Sequence, residues 1–461
     1  MVTTTSSPSH LIAPATFPSI PDQLSVLSYN VLLPNSQDGW WNYKMYQPSE
    51  SDIHHISSWE YRSQLLHDRI KLIDPDVVCM QEVSPLSFEV DFQFMNGLGY
   101  DGAEMFKRGR FRPATFWKSS KCKLVSPPVH KDRTLLTAFQ LNLSTDHPFS
   151  SKNWHVLNCH LQAGQQGKRR VRQIDEGVKA SFKLAKKLNE PDPTNPLLIV
   201  CGDFNGGSEC GAVEYVEAGG VGPSFIEDGE PVSSKEKKSP LSYPLLDVAK
   251  AVERIDTISP PPTLVVSELI SQMVKKGSEA YQDPELSEDV VERLQRCYQR
   301  YAKYSPDSKD SERVMNKSNV EQWLIDINGQ VGRGSEFRKA AREMGWKEIE
   351  KDDDNEEKNG NEKSRIVLPE NGILTLNGFV NVYEEELRGG KFWGIAHDLH
   401  VMNETLPNVG TFTARFDRMY CAASLAPSVV LDTIATNPCP NEIEPSDHLP
   451  VAASFRVAGL N

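Results

Sequence analysis

The chain has 461 residues, with 50 Lys and Arg against 63 Asp and Glu and a formal net charge of −13. With 38% hydrophobic and 8% aromatic residues it can bury a sizeable core, which excludes an intrinsically disordered chain, and no apolar run approaches the ~20 residues needed to cross a bilayer. The acidic balance weighs against tight, sequence-independent binding to long duplex nucleic acid, whose affinity comes from neutralising phosphates with Lys and Arg, but it leaves open an enzyme acting on one phosphodiester. Residues 1–22 read as a flexible tail. Met1 to Ser19 is rich in Ser, Thr and Pro and holds no Lys or Arg, unlike a secretory signal or a transit peptide, so the expected location is cytoplasmic or nuclear.

Leu24 to Leu27 reads as a strand ending in the polar cluster Ser28-Tyr29-Asn30. Trp40, Trp41 and Tyr43 follow, fit for packing over an edge of the fold or for stacking on a base or a lipid face. Ser58-Trp59-Glu60-Tyr61-Arg62 opens a helix whose apolar positions Leu65, Leu66, Ile70 and Ile73 recur at helical spacing until Asp74-Pro75 stops it. A buried strand, Val77 to Met80, runs into Gln81-Glu82-Val83. Lys107-Arg108-Gly109-Arg110 with Arg112 is a basic stretch before strands at Ala114 to Trp117, Leu135 to Leu141 and Trp154 to His160. A second one, Lys168 to Arg172, follows His160; each is either solvated charge or a phosphate contact. Val178 to Leu188 reads as an amphipathic helix leading to strand Leu197 to Cys201, which ends in Gly202-Asp203-Phe204-Asn205. Cys79, Cys159 and Cys201 lie in apolar strand-like runs, as reduced core thiols do. Finally, Ser446-Asp447-His448-Leu449-Pro450 precedes strand-like Val451 to Phe455. The pattern is layered α/β, with hard oxygen and amide ligands and two histidines at strand ends, where a divalent metal and a phosphate could meet on a rigid sheet.

Taken in order, Ser28-Tyr29-Asn30-Val31-Leu32, Trp59-x-x-Arg62, Pro75 to Val83, Asn158-Cys159-His160-Leu161, Gly202 to Asn205 and Ser446 to Pro450 resemble the endonuclease/exonuclease/phosphatase superfamily. Within it, the Trp-x-x-Arg helix and the wording around Gln81-Glu82-Val83 are most similar to the branch holding nocturnin, the angel proteins and the carbon-catabolite-repression deadenylases. The resemblance spans about 22 to 250 and 409 to 461. It implies a four-layer α/β sandwich, two packed β-sheets flanked by helices, with a magnesium-dependent phosphoesterase site at one edge. The expected catalytic domain is 23–250 with 409–461.

Glu82 offers a carboxylate and Asn30 a carbonyl oxygen, a set suited to Mg²⁺ or Mn²⁺, and Asp447 is expected to bind the metal directly or through water. Asp203 is the candidate to orient or deprotonate the attacking water. Asn205, on the same side of an extended segment, can fix that water or a phosphate oxygen. His160 and His448 are expected to donate hydrogen bonds to the phosphate as charge builds on its oxygens. The resemblance further implies that Asp417, in Arg415-Phe416-Asp417-Arg418, hydrogen-bonds His448 and sets its tautomer. Arg172, with Gln173, looks like the helix start that braces the His160 loop, and Arg172 and Arg112 are candidate substrate contacts.

Residues 251–408 read as a helical insertion, with helical spacing at Leu264 to Met273, Val290 to Tyr304, Val320 to Ile327 and Phe379 to Leu387 and a charged loop at 347–363. Its helix-loop-helix order resembles a pair of EF-hands, and the phrase Gly390-Lys391-Phe392-Trp393-Gly394 is similar to the insertion of a plant and algal calcium-binding group of the superfamily. The calcium ligands are poor: Val367 and Pro369 stand where oxygens belong, Gly378 takes the place of the bidentate glutamate, and Asn319 closes a first loop offering Ser308, Asp310 and Glu312. Ca²⁺ or a protein partner at the insertion stays open. The expected activity is hydrolysis of a phosphate ester by a metal- and Asp-activated water, as in a 3′ exoribonuclease acting on RNA. The alternatives are a phosphatase or phospholipase acting on a small phosphorylated metabolite, inositol phosphate or lipid, and a calcium-responsive binding protein.

Overall fold

A computed structural model describes residues 10–11, 16–105, 109–251, 260–277, 284–304, 313–347 and 366–459. One seven-stranded sheet runs in the order His10–Leu11, Leu425–Ile434, Val451–Val457, Leu24–Asn30, Val77–Val83, Arg112–Trp117, Gly102–Met105. The other runs Leu246–Asp247, Asp417–Cys421, Leu197–Asp203, Trp154–His160, Thr134–Leu141, Cys122–Leu124, with Val129–Lys131 also paired to Thr134–Leu141.

The strands are apolar on both faces, and alternate residues sort into different layers. Val26, Val77, Cys79 and Phe455 of the first sheet meet Phe139, Val156, Ile199 and Cys201 of the second in one core. Their neighbours Leu27, Val78 and Met80 pack outward on Leu66, Ile70 and Ile73 of helix Trp59–Ile73. Leu157 and Val200 pack outward on Val171, Ile174 and Val178 of helix Gly167–Lys187. A two-residue side-chain period with helices on both outer faces makes the expected sandwich of four layers. At roughly 1.5 to 3 kcal/mol for each large apolar side chain buried, the core between the sheets and the two outer cores all stabilise this unit. The helix starts where Ser58 accepts from the Tyr61 amide and stops at Asp74 in the left-handed region, with φ 52°. All eight cysteines are free and buried. Among the described residues, no helix is long and apolar enough to cross a membrane.

The chain divides into two units, the first comprising 1–46, 52–267 and 411–461 and the second 47–51 and 268–410. The second unit packs helices Glu288–Tyr301, Lys317–Asn328, Gly334–Glu343, Leu376–Arg388 and Phe392–Val401 around Trp323, Phe379 and Tyr383. Ser287, Asn316 and Thr375 cap three of them through side-chain oxygens. A short antiparallel ladder, Met315 to Leu374 and Asn316 to Ile373, joins the segments that precede two of the helices.

Three expectations need correction. Leu264–Ser267 is a strand, not helix, paired with Thr411–Ala414; its Leu-Val-Val run favours the extended form, and helix is confined to Ile270–Met273. The second unit therefore begins at Glu268 instead of 251. The tail 1–22 is partly docked, since His10–Leu11 pairs with Ile434 and Thr433, and Phe17 is buried with its amide on the Ile73 carbonyl. The charged loop from 348, Lys107 and Arg108, and Ser308, Asp310 and Glu312 lie outside the described residues.

Candidate active site

Strand register sets the site. In the second sheet Asp203 stands opposite His160 on one side and Asp417 on the other, so three strand ends place three functional side chains in one row. In the first sheet Asn30 ends its strand beside Gln81. The pairing of Val77–Val83 with Arg112–Trp117 loses register between Met80 and Val83, and Glu82 adopts φ 63°. This bulge lies where Pro113 has no amide to give, and it re-aims the Glu82 side chain.

The two sheets meet through Asp203. Its Oδ2 accepts from Asn30 Nδ2 and Asn205 Nδ2, each at 3.0 Å, and its Oδ1 accepts from the Asn205 amide at 2.7 Å. Glu82 Oε1 lies 3.4 Å from Asn30 Nδ2, and its Oε2 accepts from the Leu33 amide at 3.0 Å. His160 Nε2 lies 3.7 Å from Asp203 Oδ2 and 3.9 Å from Glu82 Oε1, while its Nδ1 donates to the Phe111 carbonyl at 2.9 Å. His448 Nδ1 is 2.7 Å from Asp417 Oδ2, and Nε2 lies 3.9 Å from Asp203 Oδ2.

The histidines differ in charge. Burial pushes the His160 pKa down to about 4, against the pull of Asp203, so with Nδ1–H on Phe111 the neutral ring presents an Nε2 lone pair. Burial also opposes charge on His448, but Asp417, Asp447 and Asp203 together outweigh it and hold the pKa well above the ordinary value. Burial raises Glu82 and Asp447 above the usual carboxylate range.

Asp203, Asp417 and His448 form a buried group whose ligand atoms lie within 4.8 Å of one another. Two of its members, Asp417 and His448, are already hydrogen-bonded together, and the desolvated carboxylates of Glu82 and Asp447 are further candidate cation ligands. The site thus gathers Asn30, Glu82, His160, Asp203, Asn205, Asp417, Asp447 and His448. Arg112 and Arg172 stand apart from this group: Arg112 Nη1 donates to the Asp132 carbonyl at 2.9 Å, and half-exposed Arg172 lies 3.5 Å from Asp132 Oδ2. Gln173 braces the His160 loop, accepting from the Gln162 amide and donating to Asp132.

Several supports carried weaker sequence signals. Fully buried Arg62 donates to the carbonyls of Val31, Leu32, Leu33 and Pro445, tying the Asn30 loop to the Asp447 loop. Ser446 Oγ donates to the Asn30 carbonyl and accepts from the His448 amide. Gln81 donates to Ser28 and to Asn158 across the sheets, and Asn158 donates to the Met80 and Ala114 carbonyls. Gln81 and Asn158 stand out as polar residues inside apolar strands, Arg62 and Ser446 only as members of their motifs. Thr263, whose Oγ1 accepts from the Phe416 and Asp417 amides, had no signal, since it lies in a proline-rich stretch far from the motif it supports.

Residues 27–221 match the Endonuclease/Exonuclease/phosphatase family. The chain is 29% identical over 278 residues to the CCR4-Not complex 3'-5'-exoribonuclease subunit Ccr4 of Emericella nidulans, covering 46% of this chain and 39% of that protein. It is 23% identical over 231 residues to Protein angel homolog 2 of Mus musculus, covering 47% and 40%. The matched regions thus span about two fifths of these relatives' own length. Among solved structures, that of ANGEL2, a 2',3'-cyclic phosphatase, in complex with adenosine-2',3'-vanadate aligns over 97% of this chain and 98% of that one, with TM-score 0.48 and 16% identity. The human Nocturnin catalytic domain aligns over 98% of each chain, with TM-score 0.45 and 13% identity.

Proposed function

We propose that this chain is a divalent-metal-dependent phosphoesterase, a 3′ exoribonuclease or related phosphodiesterase of the cytoplasm or nucleus. The observation that carries this reading is the surrounding of Asp203 Oδ2 by two imidazole Nε2 atoms and two side-chain amides at facing strand ends. Related exoribonucleases of the Ccr4 type support RNA as the substrate. A cation fits the donor set: four carboxylates converge, Asp417 Oδ1 is buried without a partner among the described residues, and the ligands are hard oxygens. Glu82 and Asp447 would hold Mg²⁺ or Mn²⁺, which would polarise a phosphoryl oxygen and offset charge there, whereas Asn30, expected as a ligand through its carbonyl oxygen, turns Nδ2 to Asp203 and Glu82 and gives Oδ1 to the Leu32 amide.

The chain's own residues supply the rest. Asp203, fixed by Asn30 and Asn205, orients a water and accepts its proton as the new O–P bond forms and the bond from phosphorus to the leaving ester oxygen breaks, that oxygen taking a proton from solvent. Charged His448 donates from Nε2 to a phosphoryl oxygen, a contact that strengthens in the transition state. Neutral His160 receives a hydrogen bond at Nε2 from the water or from a substrate hydroxyl. A second reading, hydrolysis of a small phosphorylated metabolite or lipid, draws on the net charge of −13. Turnover of 5′-labelled oligo(A), mixed RNA, NADPH, an inositol polyphosphate and sphingomyelin with Mg²⁺ separates the two readings. Stepwise RNA shortening abolished by Glu82→Ala supports the first, and phosphate release from a small substrate alone replaces it.

The insertion is proposed as an EF-hand-like scaffold, a reading supported by helices flanking the Met315–Leu374 ladder. With Val367 and Pro369 at ligand positions it is not expected to hold Ca²⁺ tightly. Calorimetry with millimolar Ca²⁺ should be flat, and micromolar binding would reverse this assignment.

A further inference from the structure

The row of functional side chains does not stop at His160. The His160 amide donates to the Arg133 carbonyl at 3.0 Å, one step beyond the pairing of Thr134 with Cys159. Arg133 therefore stands opposite His160 and projects from the same face of the sheet, at the end of the sequence Asp417, Asp203, His160. Its charge acts on both His160 and Glu82.

What surrounds Arg133 is unusual for a half-buried guanidinium. Among the described residues its guanidinium makes no hydrogen bond or ion pair. The neighbouring acid, Asp132, gives its carboxylate to Gln173, Arg169 and Arg172 and its carbonyl to Arg112. Burial and the Arg112 charge beside it oppose the Arg133 cation more than Asp132 relieves it. A net positive corner in a chain of net charge −13, with a fork of donors left open next to the reacting centre, is arranged for an anion that arrives with the substrate.

We propose that Arg133 binds a second, non-reacting phosphate of the substrate, on the side of His160 away from Asp203. This rests on the phosphoesterase reading for the position of the reacting phosphate. It assigns the substrate class more narrowly: a nucleotide or strand carrying two phosphates, whose extra anion sets affinity and register while Asp203 and His448 act on the other. The extra phosphate is either a terminal monoester of a small nucleotide or the next diester of a strand.

The test uses the full chain, Arg133→Ala and Arg133→Lys, with Mg²⁺. Calorimetry compares AMP with adenosine 3′,5′-bisphosphate, and steady-state hydrolysis compares ApA, with one phosphate, with ApApA, with two. The parent should favour the two-phosphate member of at least one pair by about ten-fold or more, Ala should reduce that preference to within about two-fold, and Lys should fall between. A preference confined to the bisphosphate assigns the terminal monoester, and one confined to ApApA assigns the internal diester. A preference that survives in Arg133→Ala, or a variant that weakens both members of each pair equally, overturns the proposal. A parent that shows the Arg133-dependent binding difference but cleaves neither ApA nor ApApA sinks the phosphodiesterase reading and leaves Arg133 as a phosphate anchor.

Discussion

His448 and Asp417 act as one unit: Nδ1 of the ring lies 2.7 Å from Oδ2 of the carboxylate, and that carboxylate is itself held through backbone amides of 416 and 417 on Thr263 Oγ1. The pair keeps the ring charged and directs its second nitrogen at Asp203. Because the folded-state pKa of His448 is raised, its protonation favours folding fully below the unfolded histidine pKa of about 6.5, and this contribution fades as pH rises through the folded value.

Asp417→Asn should remove the main attraction that keeps His448 charged. We expect a fall in kcat/KM on the order of 10²-fold and an alkaline limb displaced to lower pH. A pH profile with a model diester checks both, and an unmoved alkaline limb would contradict the role given to Asp417.

Glu82→Gln should separate stability from activity. Burial raises the Glu82 pKa, so the ionised form opposes folding at neutral pH, and this penalty is relieved as pH falls through the raised value. In chelator the variant should melt higher than the parent; with Mg²⁺ added it should gain less, and its turnover should drop at least about 10²-fold. A parent whose Tm does not respond to Mg²⁺ or Mn²⁺ would remove the metal from the proposal.

Arg62→Met should cost roughly 3 to 5 kcal/mol, because four backbone carbonyls lose a buried charged donor. The Asn30 and Asp447 loops should loosen together, which hydrogen exchange at both segments would report. Loss at only one of them would mean that the arginine does not couple them.

Gly202→Ala should be far more damaging than its single methyl suggests. Gly202 has φ 135°, and a Cβ there would stand 1.8 Å from the Cys159 carbonyl oxygen. The clash parts the strands that align Asp203 with His160. Ala at Gly207, where a Cβ meets nothing within 4 Å, serves as the control; equal Tm values for the two variants would contradict this account.

The catalytic layers were legible because each motif sits at the end of a run with an unambiguous period: Val77 to Met80 and Leu197 to Cys201 had to be strands, and Leu66, Ile70 and Ile73 had to face a core. The region around Leu264 was not legible. Its apolar positions satisfy a helical spacing, and the β-branched valines of the Leu-Val-Val run together with pairing to distant Thr411–Ala414 decide for strand. Residue types at Asp203 and His448 announced chemistry, whereas Arg133 and Thr263 did not, since their relevance comes from register and fold closure. The differing protonation of the two histidines likewise depends on the fold, burial lowering the His160 pKa and Asp417 raising that of His448, which no spacing rule foretells.

The ladder that joins Ser267 to Thr411 has an evolutionary consequence. The polypeptide leaves the catalytic unit and re-enters it at adjacent positions, so the excursion in between is clasped at its base. Whatever length or character that excursion acquires, the distance between the two points of attachment stays that of one strand pair, and closing a longer loop adds only a slowly growing entropic cost. Asp417 can then be delivered beside Asp203 with the same alignment across descendants whose intervening segments share nothing. The placement of Asp417 is thus decided by strand pairing inside the first unit, whatever the length of chain between the two paired segments.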